Sequence, residues 1–103
     1  KPEKKEKEFV DNFSKKSLEM FSKLPKKEPA TTMRRLADKI IYEINLPGVN
    51  SLSEVSIVKL ESSIEIKAVA KKHAYSKLIP INLPIRNYNL EEGKLVLELE
   101  TKN

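Results

Sequence analysis

An all-β antiparallel sandwich of about seven strands, preceded by one N-terminal helix, is the architecture that these 103 residues predict. Three observations predict it. From about residue 32 onward, apolar and polar residues alternate with period two in run after run, the pattern of strands with one buried and one wet face. Turn residues separate the runs at short intervals, and no helical stretch long enough for a parallel crossover lies between them. Before Pro25 the apolar spacing changes to a helical period.

The helical region carries Phe9, Val10, Phe13, Leu18, Met20, Phe21 and Leu24. Phe9, Phe13, Met20 and Leu24 fall near one stripe, which predicts a helix over about residues 5–23 that Pro25 ends. All three phenylalanines lie here. Such a stripe needs a cover, and its own sandwich, another subunit or a bound client protein would each serve. Residues 25-PKKEPATT-32 read as a linker. The chain therefore divides into a helical segment with its linker, 1–29, and a sandwich, 30–103.

Within the sandwich, 33-MRRLADK-39 offers a first strand. In the next run Ile40, Tyr42, Ile44 and Leu46 share a face, and Pro47 and Gly48 stop it. Proline lacks the N–H that a ladder needs, and glycine accepts a positive φ, so the pair ends a strand and turns the chain. The run 55-VSIVKL-60 is apolar on both faces. Ile64, Ile66, Ala68 and Ala70 share a face in 63-SIEIKAVA-70, and Ile79, Ile81 and Leu83 do so in 78-LIPINLP-84, a run that a second Leu-Pro closes. A weaker strand, 86-RNYNLEE-92, precedes Gly93, and Leu95, Leu97 and Leu99 alternate in 95-LVLELET-101.

Composition excludes several functions. No cysteine is present, which removes disulfides and thiol chemistry and fits a reducing cytoplasm. No apolar run reaches the ~20 residues of a membrane helix, and no signal peptide is visible. The chain opens on Lys1 rather than Met, so residues upstream are expected. The net charge of +5 is dispersed: residues 1–30 hold nine lysines and six acids, and the remainder holds eleven basic and nine acidic residues. A nucleic-acid footprint concentrates basic residues on one face with few acids between them, so none is expected. His73 is the sole histidine and reads as a solvated loop residue with no second metal ligand beside it. Two glycines cannot supply a phosphate loop, and no convergent acid, base and nucleophile is evident, so neither enzyme activity nor a cofactor is expected. Tyr42, Tyr75 and Tyr88 lie on different strands and read as core-rim residues with wet hydroxyls.

The order of these runs resembles the α-crystallin domain of small heat-shock proteins. The resemblance rests on 42-YEINLPGV-49, 64-IEIKA-68, 75-YSKLIPINLP-84 and 91-EEGKLVLEL-99 and covers about residues 33–101. It implies an immunoglobulin-like sandwich and an ATP-independent holdase that binds partly unfolded client proteins through apolar surface. It also implies that the phenylalanine-rich segment meets clients or other subunits, through Phe9, Phe13, Met20, Phe21 and Leu24. In that architecture the strand 55–60 and the segment 88-YNL-90 border a groove, and Val55, Ile57, Tyr88 and Leu90 are the residues expected to line it. Three departures stand out. Lys94 replaces an apolar residue, Ile79 stands where an arginine is common, and no I-x-I tail follows. A fourth is the connection 71-KKHA-74, which is hairpin length where many relatives carry a long strand-swapping loop. Self-association as a dimer or small oligomer is then expected without that swap. The short loop also resembles the related CS-domain co-chaperones, so an adaptor for one protein partner is the alternative.

Overall fold

The computed structural model describes residues 8–11 and 13–101. In chain order the elements are β1 (Glu8–Asp11), α1 (Lys15–Lys23), β2 (Lys26–Lys27), β3 (Thr31–Arg35), β4 (Lys39–Asn45), a 3-10 turn (Leu52–Glu54), β5 (Val55–Lys59), β6 (Ile64–Val69), β7 (Ala74–Ile79), β8 (Ile85–Glu91) and β9 (Lys94–Glu100). They form two sheets, ordered β1-β5-β6-β7-β2 and β3-β4-β9-β8. Every pairing is antiparallel except that of β2 with β7. The strands from β3 to β9 are the expected antiparallel sandwich.

Alternation explains the packing. Ile40, Ile44 and Leu46 from one sheet meet Val55, Ile57, Ile64, Ile66, Ala68, Tyr75 and Ile79 from the other, with Leu95, Leu97 and Leu99 completing the buried cluster. Each fully buried isoleucine or leucine contributes about 1.5–3 kcal/mol of transfer free energy. The alternate residues Glu65, Lys67, Glu98 and Glu100 turn outward.

Connections decide how the sheets overlie. Three residues, Glu28–Ala30, carry the chain from β2 in the first sheet to β3 in the second. So short a span sets the β2–β7 edge of one sheet against the β3–β4 edge of the other. The β5 and β8 edges are then neighbours on the far side. The β6–β7 hairpin closes through Ala70–His73, where the Ala70 N–H donates to the His73 carbonyl at 2.9 Å. The β8–β9 hairpin turns on Glu92 and Gly93, both with positive φ (48° and 75°), as a two-residue type I′ turn requires.

Three local expectations are corrected. The helix does not begin near residue 5. Residues 5–7 lie outside the described chain, Glu8–Asp11 is a strand on the edge of β5, and the helix starts at Lys15. Ser14 is the reason: its hydroxyl accepts from the Ser17 N–H at 3.0 Å, so it caps the helix rather than sitting inside it. The unpaired edge of β5 offers the preceding residues a ladder that local propensity could not foresee. The supposed linker 25–32 contributes β2 and the start of β3. Residues 80–84 are not strand. Pro80 ends β7, and Ile81 and Leu83 lie in the crossing between sheets, so Leu83-Pro84 precedes β8 rather than closing a strand.

Glu92 adopts the left-handed region, where asparagine is tolerated better. Glu92→Asn should raise the melting temperature by a few degrees in a thermal scan. Gly93→Ala should lower it, because the turn needs the positive φ and the added Cβ would stand 3.2 Å from the Leu46 carbonyl oxygen.

Candidate functional site

Where the β5 side of one sheet meets the β8 edge of the other, half-buried apolar side chains gather and form the candidate cleft. Along β8, inward alternation presents Ile85, Tyr88 and Leu90, opposite Leu99, Leu97 and Leu95 of β9. A β-bulge at Arg86 keeps Ile85 and Tyr88 on one face although three positions separate them. Leu52 comes from the 3-10 turn ahead of β5, and Ile81 and Leu83 come from the crossing. All six side chains are half-buried and pack against the core cluster. The Lys59 ammonium donates to the Asn82 side-chain oxygen at 3.0 Å and ties the β5 edge to the crossing. Outside β5 runs β1, with Phe9 in register with Val58.

The residues expected from the sequence divide into three groups. Tyr88 and Leu90 lie half-buried on the inward face of β8, against the core. Val55 and Ile57 do not line an open groove: they are 1% and 0% exposed in the inter-sheet core, opposite Ala68 and Ile66. Their face of β5 points inward, and the other face carries Ser56 and Val58. Phe13, Met20, Phe21 and Leu24 are half-buried, and of Phe9 only the backbone is described. Leu52, Ile81, Leu83 and Ile85 were not singled out from the sequence. For Ile81 and Leu83 the alternation in 78–84 was the signal, but it read as an ordinary strand; Leu52 and Ile85 lie outside that run.

Helix α1 lies on the outer face of the first sheet against β6. The Ser14 N–H and the Ser17 hydroxyl both donate to the Ser53 carbonyl, at 3.2 and 2.9 Å. At its other end the Ala74 N–H donates to the Pro25 carbonyl at 2.8 Å. Val69 and Ala74 alternate outward from Ala68 and Tyr75, yet both are buried. The N-terminal segment is their cover. Phe13 and Phe21 meet at 6.0 Å in a tilted pair, and the Lys26 and Lys67 ammonium groups lie 4.8 and 5.4 Å from the Phe21 ring centre. Of the stripe expected to meet a client, Phe21 lies beside Lys67 of the protein's own β6.

Tyr75 departs from the expected wet hydroxyl. It is buried, its hydroxyl donates to the Pro47 carbonyl at 2.8 Å, and His73 Nε2 stands 2.8 Å from the same oxygen. The one phenolic proton is committed to Pro47, so Nε2 carries the hydrogen donated to tyrosine. The rings meet edge to face at 4.9 Å. His73 is thus half-buried and bonded, not a free loop imidazole. Burial pushes the Tyr75 phenol above its ordinary value.

Among the described residues no group of three histidine, cysteine or carboxylate side chains could hold a metal. No described helix is long and apolar enough to cross a membrane.

No protein-family model matches the sequence, and no curated protein does. Solved structures do match in fold. Heat shock protein 16.0 from Schizosaccharomyces pombe superposes with a TM-score of 0.65 at 16% identity, covering 75% of this chain and 68% of that one. HSP18.5 from Entamoeba (E. histolytica) gives 0.62 at 11% identity, covering 72% and 88%. A mutant of hsp14.1 from Sulfolobus gives 0.60 at 15% identity, covering 74% and 73%.

Two outcomes test this geometry. Tyr75→Phe leaves the Pro47 carbonyl and His73 without their shared partner and should cost about 1 kcal/mol, a drop of roughly 5 °C in melting temperature. Because the folded state favours the neutral phenol, its contribution is complete below about pH 10 and declines as pH rises through the raised value. The pH dependence of melting should therefore steepen above pH 10 in the parent and less so in Tyr75→Phe.

Proposed function

From a sandwich fold shared with small heat-shock proteins, we infer an ATP-independent chaperone that holds partly unfolded proteins and keeps them from aggregating. The observation that carries this reading is the cleft between β5 and β8. Its apolar side chains are half-buried, and the β5 edge beside it is covered by a strand of only four residues. A short strand on a sheet edge is a replaceable partner, because an extended client segment can make the same main-chain bonds and add side-chain contacts. The second apolar surface is the face of α1. Phe13, Met20, Phe21 and Leu24 reach a client when the helix lifts from the sheet, and lifting also uncovers Val69 and Ala74.

The partners on this reading are unfolded polypeptides and further copies of the chain, in a reducing compartment such as the cytoplasm. The β6–β7 hairpin closes in four residues and carries no additional strand, which favours association by edge pairing over strand swapping. The same short hairpin favours a second reading, an adaptor that docks one folded protein partner as CS-domain co-chaperones do.

Light scattering from a heat-labile enzyme separates the two. A holdase suppresses aggregation without ATP, and Tyr88→Asp or Leu90→Asp should require at least threefold more chaperone for the same protection while melting within a few degrees of the parent. An adaptor leaves aggregation unchanged and instead forms one complex of defined stoichiometry. Ile57→Asp is the control for the core. It should fail to fold, because a carboxylate would replace a fully buried side chain.

A further inference from the structure

The parallel pairing of β2 with β7 places two lysine pairs side by side. Lys26 and Lys27 stand opposite Ala74 and Tyr75, and Lys71 and Lys72 form the tip of the hairpin that leads into β7. Lys71 and Lys72 lie three and two residues ahead of Ala74, the residue that Lys26 faces across the ladder. Lys23 joins them from the last turn of α1. All five are exposed. Lys26 is fixed by donating to the Leu24 carbonyl at 3.0 Å and by the Phe21 ring. Among the described residues Lys23, Lys27, Lys71 and Lys72 have no carboxylate within ion-pair distance. The nearby Glu28 is engaged by Lys77 at 2.8 Å, and Glu65 by Lys67. Dispersed in sequence, these lysines gather at one corner of the fold, and neither Glu19, one helical turn before Lys23, nor Glu28 is ion-paired to Lys23, Lys27, Lys71 or Lys72.

We propose that this corner, where β2 meets the β6–β7 hairpin, is a docking surface for an acidic polypeptide segment. It lies on the edge opposite the β5–β8 cleft and is independent of the chaperone reading. Like charges gathered at one corner act together on one flexible anionic chain, and less so as salt rises. The surface suits a peptide better than a nucleic acid. It has lysines and no arginine fork for phosphate. No described aromatic side chain is exposed for base stacking, and the Phe21 ring already carries two ammonium groups. The half-buried Phe21 and Leu24 beside the lysines add apolar contact for an acidic segment with interspersed aliphatic residues.

Titration of the full chain with a fluorescent glutamate-rich peptide tests the proposal, with the glutamine counterpart, a 20-base-pair DNA duplex and phosphatidylserine vesicles as comparators. The expected result is saturable binding of the glutamate peptide alone at 50 mM salt, weakened at least tenfold at 300 mM. Lys27→Glu/Lys71→Glu/Lys72→Glu should weaken it more than tenfold, and Arg86→Glu, on the distant β8 edge, should change it less than twofold. A Lys→Gln version of the triple variant should retain an intermediate loss, and circular dichroism should show all variants folded. Equal loss in Arg86→Glu, no loss in the triple variants, or tighter binding of duplex or vesicles than of peptide would overturn the assignment.

Discussion

The turn at Leu46-Pro47-Gly48 is the constraint on which the rest of the sandwich depends. It ends β4, and both hairpins that cross the other sides of the molecule are fastened to it. The Val49 N–H donates to the Leu46 carbonyl at 3.0 Å across the turn. Gly48 sits at φ +93°, with room for no Cβ nearer than 3.0 Å to that of Ala70. That geometry matches a Pro-Gly type II turn, which needs φ > 0 at its third residue. From one sheet the His73–Tyr75 pair reaches the Pro47 carbonyl, and in the other the Leu46 N–H donates to the Gly93 carbonyl at 2.7 Å. Both glycines of the protein therefore serve one junction. The turn sets where the two sheets stand relative to each other.

With that end fixed, the sheet edges decide what the protein can do. An unpaired edge is a row of open donors and acceptors, and proteins blunt or cover such rows. Here the N-terminal segment does the covering. It lays β1 on β5, crosses the outer face as α1 and lays β2 on β7 before entering β3. The two added strands are four and two residues long. Short strands hold an edge through few bonds, so the cover is local and the cleft beside β8 keeps its apolar wall.

The same segment changes the electrostatics. Along the sequence the lysines of residues 23–27 and 71–72 are separated by more than forty residues and interleaved with acids. Pairing β2 with β7 gathers the lysines, while Glu28 pairs with Lys77 and Glu65 with Lys67. The Lys77 ammonium beside Glu28 keeps that carboxyl below its usual range, which marks an engaged charge in spite of its exposure. A chain of dispersed net charge thus acquires one basic corner and one apolar cleft, on opposite edges and from different elements.

Alternation with period two located β4, β6 and β9 and which side of each faces inward, while β5, apolar on both faces, and the end of β7 were not settled by it. Ile40, Ile44, Ile64, Ile66, Leu95, Leu97 and Leu99 are all buried as their spacing requires, because a strand's side chains obey a local geometry. Tyr88 and Leu90 lie half-buried on the inward face of β8. What spacing could not settle was anything decided by distant partners. Glu8–Asp11 carries helical spacing but becomes strand because the edge of β5 is there to pair with it. Val55 and Ile57 are core and not groove because Ala68 and Ile66 oppose them. Tyr75 loses its wet hydroxyl to a carbonyl twenty-eight positions away. The amino-acid sequence by itself determined the layered antiparallel class and its inward faces. The tertiary structure alone decided which edges are covered, because hydrogen bonding between separate segments overrides the weak preferences of a short stretch of chain.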